Sequence, residues 1–132
     1  MSSNGSGAPY LFVYGTLQSS FRKNRFARYL ARNADLMGRA MIPGRLFGLK
    51  RYPGLRPPQS EEDWVAGEVY RLRCPVPTLR TLDAYEASEY RRVRRPVTLD
   101  GGQVVRCWVY IFWRPLARHR RIESGTWQNK GS

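Results

Sequence analysis

The apolar positions fall into short runs of two different periods. Leu11 to Tyr14 is a compact apolar and aromatic run that closes on Gly15-Thr16, the pattern of a buried first strand ending in a tight turn. Phe21, Phe26, Tyr29 and Leu30 then recur at spacings of one helical face, with Asn33 as a stop, which predicts a helix. Leu36 to Leu49 reads as strand material broken by Pro43-Gly44 and Gly48. Arg51 to Ser60 carries Pro53-Gly54 and Pro57-Pro58, so a loop unable to join a central sheet strand is expected there. Trp64 to Leu72 alternates as a strand does, with Val65, Gly67, Val69 and Arg71 on one side and Ala66, Glu68, Tyr70 and Leu72 on the other.

Pro77 and Thr78 open a second, short helix running to about Glu86, because proline is tolerated in a first turn and threonine can cap. Arg92 to Leu99 and Val104 to Trp113 flank Asp100-Gly101-Gly102, a hairpin signal between two β-rich runs. Ile122 to Trp127 is the last apolar anchor, and Gln128 to Ser132 is expected to fray. The order strand, helix, several strands, helix, hairpin lacks the regular βαβ alternation of a parallel fold. The fold class is therefore α+β, built on a strongly curled or closed small sheet.

Composition sets the scale. The 132 residues, 42% hydrophobic and 13% aromatic, suffice for one core, and a single domain over residues 10–127 is expected between tails at 1–9 and 128–132. Apolar segments such as Tyr10 to Tyr14 and Trp108 to Trp113 are far shorter than the roughly 20 residues that cross a bilayer. Met1 to Ala8 lacks the positive flank and apolar stretch of a secretory signal. Cys74 and Cys107 are too few for a disulfide framework and lack redox or zinc spacing, which suits a reducing cytoplasm. His119, the only histidine, sits in Arg118-His119-Arg120-Arg121, where positive charge opposes a metal ion or a proton. Serine triads of the common type lose their base, and His/Cys metal sites lose their ligands.

The charge of +13 raises nucleic acid as a partner. Arginines cluster at Arg91-Arg92, Arg94-Arg95 and Arg118 to Arg121, yet no helix-turn-helix, zinc-finger, RNP or KH-like pattern accompanies them. A solvated face, with a compositional preference for arginine over lysine, is the favoured account, with weak, salt-sensitive polyanion binding as a side property.

Two segments can carry chemistry. At about 100° per residue Leu79, Leu82 and Glu86 share one helical stripe, so a carboxylate points where a core residue belongs. It also stands at the helix C-terminus, where the macrodipole disfavours negative charge. Both placements raise its pKa, as a proton shuttle requires. A Glu paired with Arg91 or Arg92 fits the same spacing. Tyr14-Gly15-Thr16-Leu17 is the second segment, since a strand ending in glycine can present consecutive backbone N–H groups to an anion or a carbonyl oxygen.

Phe12-Val13-Tyr14-Gly15-Thr16-Leu17, Leu82-Asp83-Ala84-Tyr85-Glu86 and Val109-Tyr110, with Tyr52-Pro53-Gly54 and Gly67-Glu68-Val69-Tyr70 between them, resemble the γ-glutamylcyclotransferase-like superfamily. That group includes the γ-glutamylamine cyclotransferases and AIG2-like proteins. The likeness covers about residues 10 to 127, and Arg114-Pro115 with Ile122 to Trp127 looks like the tail of small bacterial members. Ala87-Ser88 stands where the family often has glycine directly after its glutamate.

The resemblance implies a small mixed barrel with flanking helices and an enzyme without metal or cofactor. It would cyclise a γ-glutamyl amide to 5-oxoproline and release the attached amine. Glu86 matches the family's catalytic glutamate, and Tyr14, Gly15, Thr16 and Leu17 match the loop holding the substrate's α-amino acid end. Tyr110 and Tyr90 are either pocket walls or plain core aromatics; Asp83 is expected to be a helix-surface or structural carboxylate, with Glu89 as the fallback acid. The competing class is a non-enzymatic protein that binds a small ligand in the same pocket or nucleic acid on its basic surface.

Overall fold

The computed structural model describes residues 9–49, 52–116 and 120–128. The expected tails lie outside these residues except at their inner ends. Among the described residues, eight strands and two helices follow in the order β1 (Tyr10–Val13), α1 (Arg25–Asn33), β2 (Ala34–Pro43), β3 (Arg45–Leu49), β4 (Tyr52–Arg56), β5 (Trp64–Leu72), α2 (Pro75–Glu86), β6 (Tyr90–Leu99), β7 (Val104–Phe112) and β8 (Arg120–Arg121). One 3₁₀ turn, Ala87–Glu89, joins α2 to β6.

Five strands close a barrel in the order β1-β5-β2-β6-β7. The closing β1–β7 pair is parallel and the rest are antiparallel, which makes the barrel mixed. Strands β4-β3-β8 form a second, three-stranded sheet. The α+β class with a closed small sheet is thus what the chain forms.

Two apolar clusters explain why β1 has no polar face. Phe12 points into the barrel with Val65, Val69, Val97, Cys107 and Val109. Leu11 and Val13 point outward against Leu30, Leu79, Leu82 and Tyr110, beneath the two helices. A strand buried on both sides reads as a continuous apolar run rather than an alternation.

Local chemistry moves several expected boundaries. Helix α1 starts after Phe21, because the Asn24 side chain caps it, accepting from the N–H groups of Phe26 and Ala27 at 2.8 and 3.0 Å. Helix α2 starts two residues before Pro77, with Pro75 in its first position. The expected loop at Arg51 to Ser60 is corrected over Tyr52–Arg56. That segment pairs antiparallel with β3, and it takes Pro53 because it lies at the edge of the smaller sheet. Gly44 separates β2 from β3, whereas Gly48 stays inside β3 paired with Pro53.

Candidate active site

The loop that follows β1 is held from three directions. Tyr14 is buried, and its hydroxyl donates to the Tyr110 carbonyl on β7 at 2.6 Å and accepts from the Leu55 N–H on β4 at 3.2 Å. The Gln18 side-chain amide donates to the carbonyls of Tyr14 at 2.9 Å and Trp127 at 3.2 Å. Ser19 donates its N–H and hydroxyl to the Glu68 carboxylate at 2.7 and 2.6 Å. Gly15 sits against Pro53, so that a Cβ added there would lie 2.8 Å from Pro53 Cγ. Glycine is needed for this close approach and not for a left-handed backbone.

Gly15, Thr16 and Leu17 line one wall of a pocket of about 330 Å³, counting its open mouth. Among the described residues, none of their three N–H groups has an acceptor. Consecutive unpaired amides of this kind suit a carboxylate or an oxyanion. Tyr52, Pro53 and Tyr90 form a second wall, where the Tyr90 hydroxyl donates to the Pro53 carbonyl at 2.7 Å. Among the described residues, no Lys, Arg or His lines the pocket.

Glu86, the last residue of α2, lines the same pocket and is partly buried. Among the described residues its carboxylate has no hydrogen-bond or ion-pair partner, and no basic residue stands in the last turn of α2. Burial first, and the nearby Asp83 charge second, push its pKa from 4.5 to about 8.

The pairing of Glu86 with Arg91 or Arg92 is not what the fold builds. Arg92 is engaged by Asp83 through Nε–Oδ1 at 2.8 Å and Nη2–Oδ2 at 3.1 Å, while the Arg91 guanidinium lies over Trp113 at 4.7 Å. Asp83 also accepts from the Tyr110 hydroxyl at 2.7 Å. Burial would lift Asp83, but the bonds from Arg92 and Tyr110 prevail and hold it below the usual carboxylate range. Burial chiefly drives the Tyr14, Tyr90 and Tyr110 phenols upward, and the Glu86 charge adds to each.

All of the expected site residues therefore meet. Glu86, residues 14–17 and Tyr110 line one pocket, and Tyr90 is a wall as well. Glu89 is exposed and does not line it. Asp83, engaged by Arg92 and Tyr110, does not line it either. Sequence reasoning missed Tyr85, whose hydroxyl bonds Thr16 Oγ1 at 2.6 Å and accepts from Asn24 at 2.9 Å, with its ring stacked on Phe26 at 4.4 Å. It clamps the loop to the end of α2. Its position next to Glu86 was the only signal. Tyr52 and Pro53 were noted for their order in the chain, and nothing local marks them as walls.

The remaining candidates lie elsewhere. Cys74 is exposed and Cys107 sits inside the barrel, both as free thiols. Arg118 and His119 fall outside the described residues. Arg121 pairs with Asp63 at 2.7 Å, and that bond above all holds Asp63 down at about 2. Arg92 and Arg94 lie over Trp108 at 4.4 and 4.5 Å, and Arg114 lies over Trp113 at 4.6 Å. Among the described residues no helix is long and apolar enough to cross a membrane.

The chain is similar to known proteins in sequence and in fold. The γ-glutamylcyclotransferase family protein YtfP of Escherichia coli K12 is 32% identical over 121 residues, which span 91% of this chain and 96% of that one. Its solution NMR structure matches with a TM-score of 0.63 over 89% of this chain and 95% of its own. A mouse AIG2-like protein matches with a TM-score of 0.63 at 25% identity, covering 82% of this chain and 80% of its own. Bacillus subtilis YkqA gives a TM-score of 0.69 at 25% identity, with 91% of this chain spanning 39% of that one. The family model "Gamma-glutamyl cyclotransferase, AIG2-like" matches residues 11–129, and the chain belongs to that family.

Proposed function

We propose that the chain cyclises a γ-glutamyl amide to 5-oxoproline and releases the attached amine, with Glu86 as general acid and base. The observation that carries this reading is a partly buried carboxylate without a partner, sharing one pocket with three unpaired backbone N–H groups. One group can move a proton, and the other set can hold charge on oxygen.

The free α-amine of the substrate attacks its own γ-carbonyl carbon. A new C–N bond closes the five-membered lactam, and the original amide C–N bond breaks. Folding the substrate into attack geometry contributes on the order of 7–11 kcal/mol, because the step is intramolecular. Ionised Glu86 takes the proton that the attacking nitrogen must lose and passes it to the departing nitrogen, so charge balances. A pKa of about 8 lies close to that of an α-ammonium, which keeps transfer nearly level in both directions. The Gly15-to-Leu17 amides hold the substrate carboxylate or the oxyanion. Tyr85 fixes their distance from Glu86 through Thr16.

A screen of γ-glutamyl amides for release of 5-oxoproline tests the reading. At least one substrate is expected to turn over in wild-type protein and to fail in Glu86→Gln. Saturable ligand binding with no product from any amide would establish the non-enzymatic alternative.

A further inference from the structure

The barrel and the small sheet enclose a second cavity that shares no lining residue with the pocket of Glu86. It measures about 530 Å³ including its open mouth, larger than the first on the same measure. Leu55, Pro57, Pro96 and Ile111 supply carbon surface, Arg56 and Arg95 supply two guanidinium groups, and no lining residue is acidic.

The two arginines differ in a useful way. Arg95 is exposed and donates to the carbonyl of its neighbour Arg94 at 2.8 Å, leaving most of its fork directed elsewhere. Arg56 is held in place, over the Phe112 ring at 5.8 Å and donating to the Arg114 carbonyl. Its Nε is buried and, among the described residues, has no acceptor. Buried N–H groups in native proteins are nearly always paired, so Arg56, which lines the cavity, has donor capacity to spare for an acceptor. The acceptor must reach a guanidinium from an apolar cleft, which favours an anionic oxygen on a carbon body.

We propose that this cavity is a binding site for a small monocarboxylate with an apolar aliphatic or aromatic body. Its carboxylate lies between Arg56 and Arg95, and its carbon part lies against Leu55, Pro96 and Ile111. The proposal is independent of the chemistry assigned to Glu86.

Phenylacetate and its neutral isostere phenylacetamide separate charge recognition from apolar filling. Both are titrated into the full chain at physiological salt, with backbone amide NMR shifts at Leu55 and Ile111 as the readout. Phenylacetate is expected to give saturable shifts there and phenylacetamide to bind at least tenfold more weakly. Arg95→Gln, an exposed change outside the first pocket, is expected to weaken phenylacetate at least threefold and to leave phenylacetamide unchanged. Equal binding of the two probes, indifference to Arg95→Gln, or the absence of saturable shifts at those amides up to millimolar concentration would each overturn the proposal.

Discussion

Replacing Glu86 by Gln removes a titration that the fold works against, and the consequence is a pH-dependent gain in stability. Below pH 4.5 the carboxyl is protonated in both the folded and the unfolded chain, so it costs nothing. Between 4.5 and about 8 the unfolded chain gives up its proton while the folded chain keeps it, and stability falls by about 1.4 kcal/mol per pH unit. Above about 8 both states are ionised and the loss levels off. The variant's advantage is therefore near zero at pH 4, reaches at most about 3 kcal/mol at pH 7 and approaches about 5 kcal/mol above pH 8. Solvent entering through the pocket mouth brings these ceilings down. Urea melts of both proteins at pH 4, 6 and 8 provide the measurement, and all other titrating groups cancel in the difference. With slopes of roughly 1–3 kcal/mol/M, the midpoint of Glu86→Gln should pull ahead by about 1–3 M as pH rises. Midpoints that stay a constant distance apart from pH 4 to 8 would show that Glu86 ionises normally in the fold, and the proton-shuttle argument would fail with it.

Activity should mirror this titration: kcat/KM rises with pH to a limb near 8, because the ionised form takes the proton, and Glu86→Gln loses roughly 10²–10⁴-fold in kcat. A flat profile between pH 6 and 9 would remove Glu86 from the rate-determining proton transfer. Asp83→Ala releases Arg92 beside Glu86 and removes a like charge, so the limb should move to lower pH; an unmoved limb would show that burial alone sets it. Gly15→Val places side-chain carbon against Pro53, within 2.8 Å for Cβ alone, and should raise KM well beyond any loss of thermal stability, as paired kinetics and melts will show. Neutralising Arg94, Arg95 and Arg120 should leave turnover of a small amide nearly unchanged, while any affinity for nucleic acid, weak and steeply salt-dependent at the outset, should drop; tight binding at physiological salt that resists these changes would place the partner surface elsewhere.

Strand and helix positions were legible where burial has a simple period. Trp64–Leu72 was readable to the residue because its neighbours on both sides keep it extended, and the Asp100-Gly101-Gly102 hairpin because Gly101 and Gly102 adopt positive φ of 100° and 99°. Tyr52–Arg56 was not legible, since Pro53 forbids only an interior strand and nothing local says that an edge is available. The Glu86 stripe was readable from helical spacing, but its freedom from a counter-ion was not. That depends on a contact between Asp83 and Arg92, which spacing allows but does not choose. Tyr85 went unread for the same reason: its partners Thr16 and Asn24 lie 69 and 61 residues away in sequence.

The excess of arginine then bears on the site in an unexpected way. A chain with a net charge of +13 should neutralise a lone carboxylate wherever a guanidinium can reach it, and Glu86 stands close to Arg91 and Arg92 in sequence. The fold assigns each of these cations another partner: Arg92 to Asp83 and the face of Trp108, Arg91 to the face of Trp113. Such contacts are individually modest, of order 0.5–1 kcal/mol at exposed sites for a cation on an aromatic ring. Pairing with Glu86 would have to break them and also desolvate a guanidinium in a pocket lined by Phe12, Tyr14 and Tyr110. The indoles and Asp83 thus keep the cations outside, and the carboxylate inside retains the elevated pKa on which the proposed proton transfer depends.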